Sequence, residues 1–398
     1  MRSPVRTAAG FFAAAFAAGT IAAQAPLPRV FLLHPAALAH ARQHPEPELL
    51  RLAKEAAGRA LKTAPLSVMD KVPTPPSGDK HDFMSMAGYW WPNPDTPDHL
   101  PYVRRDGYRN PQTASISDEQ SLHHMLNASR DLALGYYLTG DERYAQHAAL
   151  LLRTWFLAPA TAMHPNLNFA QYVPGKNTGR DAGIVSARTM PLALDAVGML
   201  AGSANWTAVD DAGFKKWFAD YYAWLTTSAA GKSENRKPNN HGSWYQVQVA
   251  CIALYEGDPA SARRTVERVR DERIPSQIDA QGMQKYEMAR TKTFSYSAMN
   301  LHALVELAAI AERFGIDLYQ PAKPGAPGIL TAIGALMPYD PQHPWPHEQV
   351  EAGREDSLCP ALVLAAAHTH DSRYIDAQKR FGCEATAMTM IEGLAGAR

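Results

Sequence analysis

Apolar residues recur at helical spacing along most of this chain. In the stretch PAALAHARQHPEPELLRLAKEAAGRALKTA, residues such as Leu38, Ala41 and Leu49 fall near one helical face, with alanine filling the gaps. The stretch DEQSLHHMLNASRDLALGYYLTG continues the pattern and stops at Gly140, a residue type that favours helix C-termini. Because DERYAQHAALLLRTWFL follows at once, these two stretches predict a helical hairpin.

The same arrangement recurs further along the chain. Residues 187–203 pair with 208–231, residues 242–257 pair with 259–278, and helical patterns return at 297–315 and 359–371. Strand-like alternation is scarce, and the absence of a fixed-period repeat argues against a regular solenoid. We therefore expect an all-α fold: a single (α/α) toroid or incomplete barrel of antiparallel helical hairpins, whose inner helices line a cleft. A stack of helices in two domains is the alternative, but no Ser/Gly linker divides residues 26–398.

Two long segments do not fit the helical pattern. Residues 69–111 are rich in proline, glycine and aromatic residues, and residues 163–183 form a shorter segment of the same kind. Long irregular loops inside a compact domain are usually functional. We therefore expect them to line the cleft.

The N-terminus has the layout of a secretory signal peptide. Arg2 and Arg6 precede an alanine-rich apolar run that ends in small residues before Pro26. A membrane anchor is the alternative, but the run is short for a spanning helix. We expect residues 1–25 to be removed and the protein to be periplasmic or secreted, with no membrane association after cleavage.

Charge and cysteine content narrow the function classes. The chain has 39 Lys+Arg and 39 Asp+Glu residues, so bulk charge gives no reason to expect nucleic acid as a partner. The three cysteines, an odd number without metal-ligand spacing, argue against a disulfide framework. We therefore expect a fold held together by burial alone and a site without metal or other cofactor. Oligomeric state is not indicated.

The motif NNHGSW concentrates polar groups ahead of an apolar helix. Asn239, Asn240 and His241 follow Pro238. An asparagine there can cap the helix, because its side chain accepts from a free backbone N–H. A cap explains one asparagine but neither the second nor the histidine, so we expect a functional role.

A second cluster lies in YEMARTKTFSYSAMNLHAL, where Arg290 and Tyr296 are six residues apart and Lys292 lies between them. A lone tyrosine at a helix start more often belongs to the core. Beside Arg290 and the preceding Asn–His pair, a catalytic role becomes comparably plausible.

A third cluster is aromatic. Tyr89, Trp90 and Trp91 lie in the first irregular segment, which continues with three arginines. Aromatic faces followed by guanidinium groups suit a sugar ring that carries a carboxylate. A packed Ω-loop is the structural alternative.

Several other chemistries lack their motifs. The chain has no Gly-rich phosphate loop, no HExxH and no GxSxG. A pair of carboxylates for glycoside hydrolysis stays possible, because acidic residues are common in any cleft.

Several motifs together resemble the alginate lyase superfamily of polysaccharide lyases. KHDFMSMAGYWWPNP, PNLNFAQ, NNHGSW, the Arg290 and Tyr296 pair and PYDPQHPWP occur in matching order between about His34 and Trp345. The resemblance implies an α/α toroid that cleaves a uronate polysaccharide by β-elimination. It implies Asn240, His241, Arg290 and Tyr296 as the catalytic set.

This reaction explains the residue types. The C5 proton of a uronate is weakly acidic while the neighbouring carboxylate is charged, so hydrogen bonds from Asn240, His241 and Arg290 would stabilise the enolate-like intermediate. In β-mannuronate and β-glucuronate, H5 and O4 lie on one face of the ring. Tyr296 could then take the proton and protonate the leaving oxygen, with Arg290 lowering the pKa of its phenol. His241 is the alternative base.

Further residues are weaker candidates for binding the polysaccharide. They are Tyr89, Trp90, Trp91, Asn166, Gln171, Lys176, Arg180, Arg188, Asn239, Trp244, Lys292, Tyr339 and Trp345.

The sequence departs from the best-known mannuronate lyases of the superfamily at two places. Those proteins have Ser, an aromatic residue and Trp after the Asn–His pair, and His after the tyrosine; here Gly242 and Ser243 precede Trp244, and Ser297 follows Tyr296. The departures favour a sister group that acts on glucuronan as well as mannuronan. A glycoside hydrolase on the same fold and a non-catalytic polysaccharide-binding protein are the rival interpretations.

Overall fold

The structure, a computed structural model, describes residues 27–350 and 355–395. The expected signal peptide lies outside these residues. Within them, the helices are α1 Pro35–Gln43, α2 Pro47–Ala60, α3 Asp118–Thr139, α4 Glu142–Phe156, α5 Pro191–Met199, α6 Ala208–Thr227, α7 Ala229–Asn235, α8 Asn240–Glu256, α9 Pro259–Arg268, α10 Ile274–Gln277, α11 Lys285–Met288, α12 Thr293–Glu312, α13 Ile329–Leu336, α14 Cys359–Thr369, α15 Ser372–Arg380 and α16 Ala387–Ala395. The short strands are β1 Met84–Met86, β2 Trp90–Trp91, β3 Val103–Arg104 and β4 Phe169–Tyr172.

The helices form a ring. Going round it, α3 packs on α5, α5 on α8, α8 on α12 and α12 on α14. The ring closes through α16, which packs against α14 on one side and against α1 and α2 on the other. The expected all-α toroid of helical hairpins is confirmed. No helix among the described residues has the length and apolar content needed to cross a membrane.

The hairpin predicted around Gly140 is confirmed. Gly140 ends α3 in the left-handed region at φ 71°, where glycine has no steric penalty. The side chain of Asp141 then accepts from the backbone N–H of Arg143 and starts α4. The first apolar stretch, by contrast, is split into α1 and α2, because Pro47 begins a new helix.

The first irregular segment, residues 69–111, packs against the helical ring and is called the covering segment below. Strands β2 and β3 form a short antiparallel hairpin, and β1 pairs in parallel with β4 from the second irregular segment. Lys71 anchors the segment to the start of α3, since its ammonium lies 3.0 Å from the Asp118 carboxylate and both side chains are buried. Gly107 has φ +81° and lies very close to Thr291. A Cβ atom on this glycine would be 2.5 Å from Oγ1 of Thr291.

The cysteine expectation was wrong. Cys359 at the start of α14 and Cys383 after α15 form a disulfide, and only Cys251 is a free, buried cysteine. The odd count arises because one cysteine belongs to the core while the other two are brought together by the hairpin of α14 and α15. Burial is therefore supplemented by a covalent link near the C-terminus.

The N-terminal segment is held by the buried Asp195 and by the more exposed Arg313. Asp195 in α5 accepts from the backbone N–H groups of residues 31–33, at 2.5 to 3.3 Å. Arg313 at the end of α12 donates to the carbonyls of Val30, Phe31 and Leu33, at 2.9 to 3.2 Å. This short segment, which we call the N-terminal strap (residues 30–33), has its backbone satisfied on both sides.

We expect Asp195→Ala to lower the free energy of unfolding by about 3 kcal/mol or more. The change leaves three backbone N–H groups without their acceptor, and each buried unsatisfied group costs about 1–3 kcal/mol. Urea unfolding followed by circular dichroism measures the effect. Asp258→Ala is the control, since it removes an exposed cap of α9 and should cost about 1 kcal/mol. Equal losses in the two variants would contradict the role given to Asp195.

Candidate active site

The site is built at the N-terminus of α8, where Asn240 is the first helical residue. Asn239 occupies the N-cap position, but its side chain does not cap the helix. The backbone N–H of Asn240 instead donates to Oε1 of Glu287 at 2.6 Å. The structural explanation for the paired asparagines, a helix cap, therefore does not hold for either side chain.

Asn240 and His241 are each bound to a buried glutamate. The amide of Asn240 donates to Oε2 of Glu287 at 2.7 Å, and Nδ1 of His241 lies 2.6 Å from Oε1 of Glu234. Glu287 also lies within electrostatic range of His241 and of Arg290. The Asn–His motif and the Arg290 cluster are thus brought together around Glu287.

Tyr296 lies on α12 with its hydroxyl between two partners. Its hydroxyl donates to that of Tyr89 at 2.6 Å and accepts from Nη2 of Arg290 at 3.2 Å. The guanidinium of Arg290 also covers the ring of Tyr296 at 4.3 Å. Tyr89 therefore contacts the proposed catalytic tyrosine directly.

Arg290 is paired with an acid from the covering segment. Nε and Nη2 of Arg290 donate to the two oxygens of Asp106, at 3.0 and 2.8 Å. Burial by itself would raise the pKa of Asp106. Hydrogen bonds and charge from Arg290 outweigh burial and hold this pKa well below its usual range. This ion pair joins the hairpin of β2 and β3 to the helical ring.

The expected lowering of the pKa of Tyr296 was wrong. Burial raises the pKa of Tyr296, and the adjacent phenol of Tyr89 raises it further, against the opposing charge of Arg290. Burial and Tyr89 outweigh the charge of Arg290, and Asp106 opposes that charge as well. Tyr296 is therefore a neutral phenol when no ligand is bound.

Gln171 and Arg180 form a second polar group beside the first. Nη2 of Arg180 donates to Oε1 of Gln171 at 2.7 Å, and the amide of Gln171 donates to Ser186 at 3.2 Å. Gln171 has φ 49°, a costly conformation for a residue with a side chain, which fixes its direction. Burial lowers the pKa of Arg180, with Arg104 and Arg290 acting in the same direction. The guanidinium groups of Arg180 and Arg290 therefore share one electrostatic environment.

The aromatic residues of the hairpin lie against cations. Trp90 and Trp91 are partly exposed, Lys176 lies 5.0 Å from the ring of Trp90, and Arg105 lies 5.4 Å from that of Trp91. Lys292 covers the ring of Tyr89 at 5.8 Å. Cations from three parts of the chain thus lie against the aromatic faces of the covering segment.

Other sequence candidates lie in packing positions. Trp244 is 6% exposed, with its ring 5.0 Å from that of His302, so it cannot present a face to a sugar. Trp345 donates to Thr293 at 2.7 Å and packs on Tyr339, so this pair braces the start of α12. The burial of Trp244 gives no support to the expectation that it binds substrate, whereas Tyr339 and Trp345 are partly exposed and their substrate role stays a prediction.

Asn166 and Arg188 are further from the centre of the site. Asn166 contacts Asp82 at 3.5 Å and accepts from the backbone of Asn168. Burial lowers the pKa of Arg188, and the charge of Glu119 acts in the opposite direction. The guanidinium of Arg188 lies 3.4 Å from the Val185 carbonyl. Neither set of contacts includes one of the four proposed catalytic residues.

The departures from the best-known mannuronate lyases are buried. A Cβ atom at Gly242 would lie 2.1 Å from the carbonyl oxygen of Lys237 and 2.5 Å from a guanidinium nitrogen of Arg273, so glycine leaves room for that arginine. Ser297 is buried, and its carbonyl accepts from Gln284 at 2.9 Å. Neither departure faces the cleft, so neither bears directly on substrate choice.

Sequence reasoning missed three acids: Asp106, Glu234 and Glu287. Each lies within or next to a motif, yet an isolated acid in a polar segment usually indicates a solvated position. The only available signal was proximity, since Glu287 comes three residues before Arg290.

Within residues 27–350 and 355–395, no cluster of three or more His, Cys, Asp or Glu residues is arranged to hold a metal ion.

Comparisons with known proteins concern the family and the overall fold. The family model described as alginate lyase matches residues 67–345. An alginate lyase from Bacteroides ovatus is 34% identical, with a TM-score of 0.86 over 94% of this chain and 100% of that one.

More distant structures share the fold. Alginate lyase A1-III from Sphingomonas species A1 is 17% identical, with a TM-score of 0.53 over 92% of each chain. An A1-III variant complexed with a tetrasaccharide is also 17% identical, with a TM-score of 0.55 over 85% of this chain and 86% of that one. A search of curated proteins gave no match.

We expect Asp106→Asn to lower the pKa of Tyr296, because the variant removes the negative charge that offsets Arg290 beside the phenol. Carbon-13 NMR of tyrosine labelled at Cζ measures the titration, and Tyr296→Phe identifies the signal. Asp371→Asn, which breaks an exposed ion pair with Arg373, is the control and should leave the signal unchanged. An unchanged pKa of Tyr296 in Asp106→Asn would show that Asp106 does not offset the charge of Arg290.

Proposed function

The chain belongs to the alginate lyase family and is a polysaccharide lyase, and we propose that it cleaves β-1,4-linked polymers of mannuronate, glucuronate or both by β-elimination. The observation that carries this proposal is the position of the Tyr296 hydroxyl. It contacts Arg290 and Tyr89, and Arg290 in turn lies within electrostatic range of Glu287, to which Asn240 is bound. Acid–base and carboxylate-binding groups therefore lie side by side.

The substrate carboxylate binds at the start of α8. One N–H of the Asn240 amide is used by Glu287, and the other is available to the carboxylate. His241 and the positive end of the helix add to this site. Neutralising the carboxylate lets the electron pair left at C5 delocalise into it, which makes H5 more acidic.

Tyr296 moves the proton. As a phenolate it takes H5, the C5 electron pair forms the C4=C5 double bond, and the bond from C4 to O4 breaks. The phenol then gives its proton to O4, which becomes the hydroxyl of the new reducing end. Atoms and charge balance without a further reactant, and the other product carries an unsaturated uronate at its non-reducing end.

A single residue can serve both steps only where H5 and O4 are on the same face. This holds for β-mannuronate and β-glucuronate, and it does not hold for guluronate. Because Gly242 and Ser297 are buried, they give no reason to choose between the first two sugars. The proposal therefore includes both polymers.

Neighbouring units of the chain bind along the covering segment. Trp90 and Trp91 offer ring faces, while Lys176, Arg180 and Lys292 offer positive charge for successive carboxylates. We further propose that residues 1–25 are a signal peptide and that the enzyme acts in the periplasm or outside the cell. The disulfide between Cys359 and Cys383 supports an oxidising compartment.

Ultraviolet absorbance tests the reaction, because only a lyase makes an unsaturated uronate. We expect absorbance to rise with polymannuronate, glucuronan or both, in the presence of a chelator, and not with polyguluronate. Tyr296→Phe should lower the rate by 10²-fold or more, since it removes the acid–base group. Tyr108→Phe, a change at an exposed tyrosine of the covering segment, is the matched control. New reducing ends without absorbance would contradict β-elimination.

The pH profile tests which group takes H5. Because the pKa of Tyr296 is raised above its ordinary value of about 10, the phenolate fraction grows with pH through the neutral range. We therefore expect kcat/KM to rise continuously with pH until the protein unfolds. A plateau reached near neutral pH, instead of a continuous rise, would assign proton abstraction to His241 and leave Tyr296 as the acid.

A further inference from the structure

Two fully buried glutamates lie behind the adjacent residues Asn240 and His241. Glu287 comes from α11 and is 1% exposed, whereas Glu234 comes from α7 and is 0% exposed. Each contacts its partner at 2.6 to 2.7 Å. Two separate elements therefore hold two consecutive residues of one helix start.

The contacts of Glu287 require a carboxylate. Its two oxygens accept from the backbone N–H and from the side-chain amide of Asn240. Among side chains, only a carboxylate offers two acceptor oxygens without carrying a donor. A glutamine at this position would turn its own N–H groups toward one of the two donors. Glu287 thus fixes which way the Asn240 amide faces.

Glu234 is costly as a purely structural residue. Its Oε1 binds His241, but Oε2 has no hydrogen-bond partner among the described residues. Burying a carboxylate with an unsatisfied oxygen is unfavourable, and an apolar side chain of similar volume is often as stable or more so. A glutamate here is explained by what it does to His241.

The contact with Glu234 fixes the His241 ring. When Nδ1–H donates to a carboxylate, the tautomer and orientation of the imidazole are set. The His241 side chain is 21% exposed, and no described residue bonds its Nε2. The ring therefore reaches solvent while its Nδ1 edge is anchored in the protein.

We propose that Glu234 and Glu287 are positioning residues for the reaction, which orient His241 and Asn240 toward the substrate carboxylate without touching the substrate. This inference rests on the proposed function, in which that carboxylate binds at the start of α8. The two acids set the direction of the groups that bind it.

Kinetics of three variants of the mature chain test the inference. We expect Glu234→Leu to lower kcat about 10²-fold, the size of loss that a small misplacement of a reacting group produces, while the thermal midpoint stays the same or rises. Glu234→Gln keeps an acceptor for Nδ1 and should recover at least tenfold of that loss. Glu287→Gln loses one of two acceptors and should also lower kcat at least tenfold.

Glu306→Gln is the matched control. Glu306 also contacts an imidazole, that of His302 at 3.2 Å, but neither residue belongs to the proposed site. The kcat of this variant should stay within twofold of the wild type. If Glu234→Leu and Glu287→Gln also stay within twofold while folded, the inference is overturned.

Nitrogen-15 NMR of the His241 ring gives a readout that needs no substrate. The wild type should show a proton fixed on Nδ1, and Glu234→Leu should lose this preference. Identical ring signals in the two proteins would overturn the role of Glu234 whatever the kinetics show. A wild type that cleaves no uronate polymer would instead reject the proposed function, and the NMR result would still decide whether Glu234 sets the ring.

Discussion

The start of α8 depends on a carboxylate from another part of the chain. The first N–H groups of a helix have no partner within it, and here Glu287 supplies one. A buried amide network keeps this arrangement in place: Gln277 donates to the Pro238 carbonyl at 2.9 Å, and Asn300 on α12 donates to Gln277 and Gln284 at 3.0 and 2.7 Å. The start of α8 and the helix that carries Tyr296 therefore share one set of hydrogen bonds. Displacing any member would change the geometry between the proposed carboxylate-binding groups and the phenol of Tyr296.

The candidate site contains more charged side chains than its net charge suggests. Arg290 is paired with Asp106, Lys237 with Asp181 at 2.9 Å, and His241 with Glu234. Pairing keeps cations in the site without the repulsion that bare cations would exert on one another. It also means that no single cation dominates its neighbours, which is why burial decides the protonation of Tyr296. In the proposed reaction, the substrate carboxylate would meet donors that are already oriented, so little reorganisation would be needed on binding.

The sequence was sufficient for the helical ring and for the main motifs, because both depend on local patterns. Gly140 predicts the end of one helix and Asp141 the start of the next, and NNHGSW stands out by composition alone. The remaining features depend on distant residues. Asp106 meets Arg290 across 184 positions, so its effect on Tyr296 cannot be seen near either motif. Burial of Trp244 likewise depends on a neighbouring helix, and an odd cysteine count cannot tell which two of three meet.

The N-terminal strap has a consequence for how the chain folds. Its carbonyls bind Arg313, 280 to 283 residues later in the chain. The same side of the ring is closed by α16, the last helix described. Contacts this distant in sequence bear a large loop-closure entropy before they stabilise anything, so they form late. The ring therefore cannot close on a growing chain until nearly all of it has been synthesised. Such a delay keeps the N-terminal portion open during synthesis, a state compatible with translocation of an unfolded polypeptide.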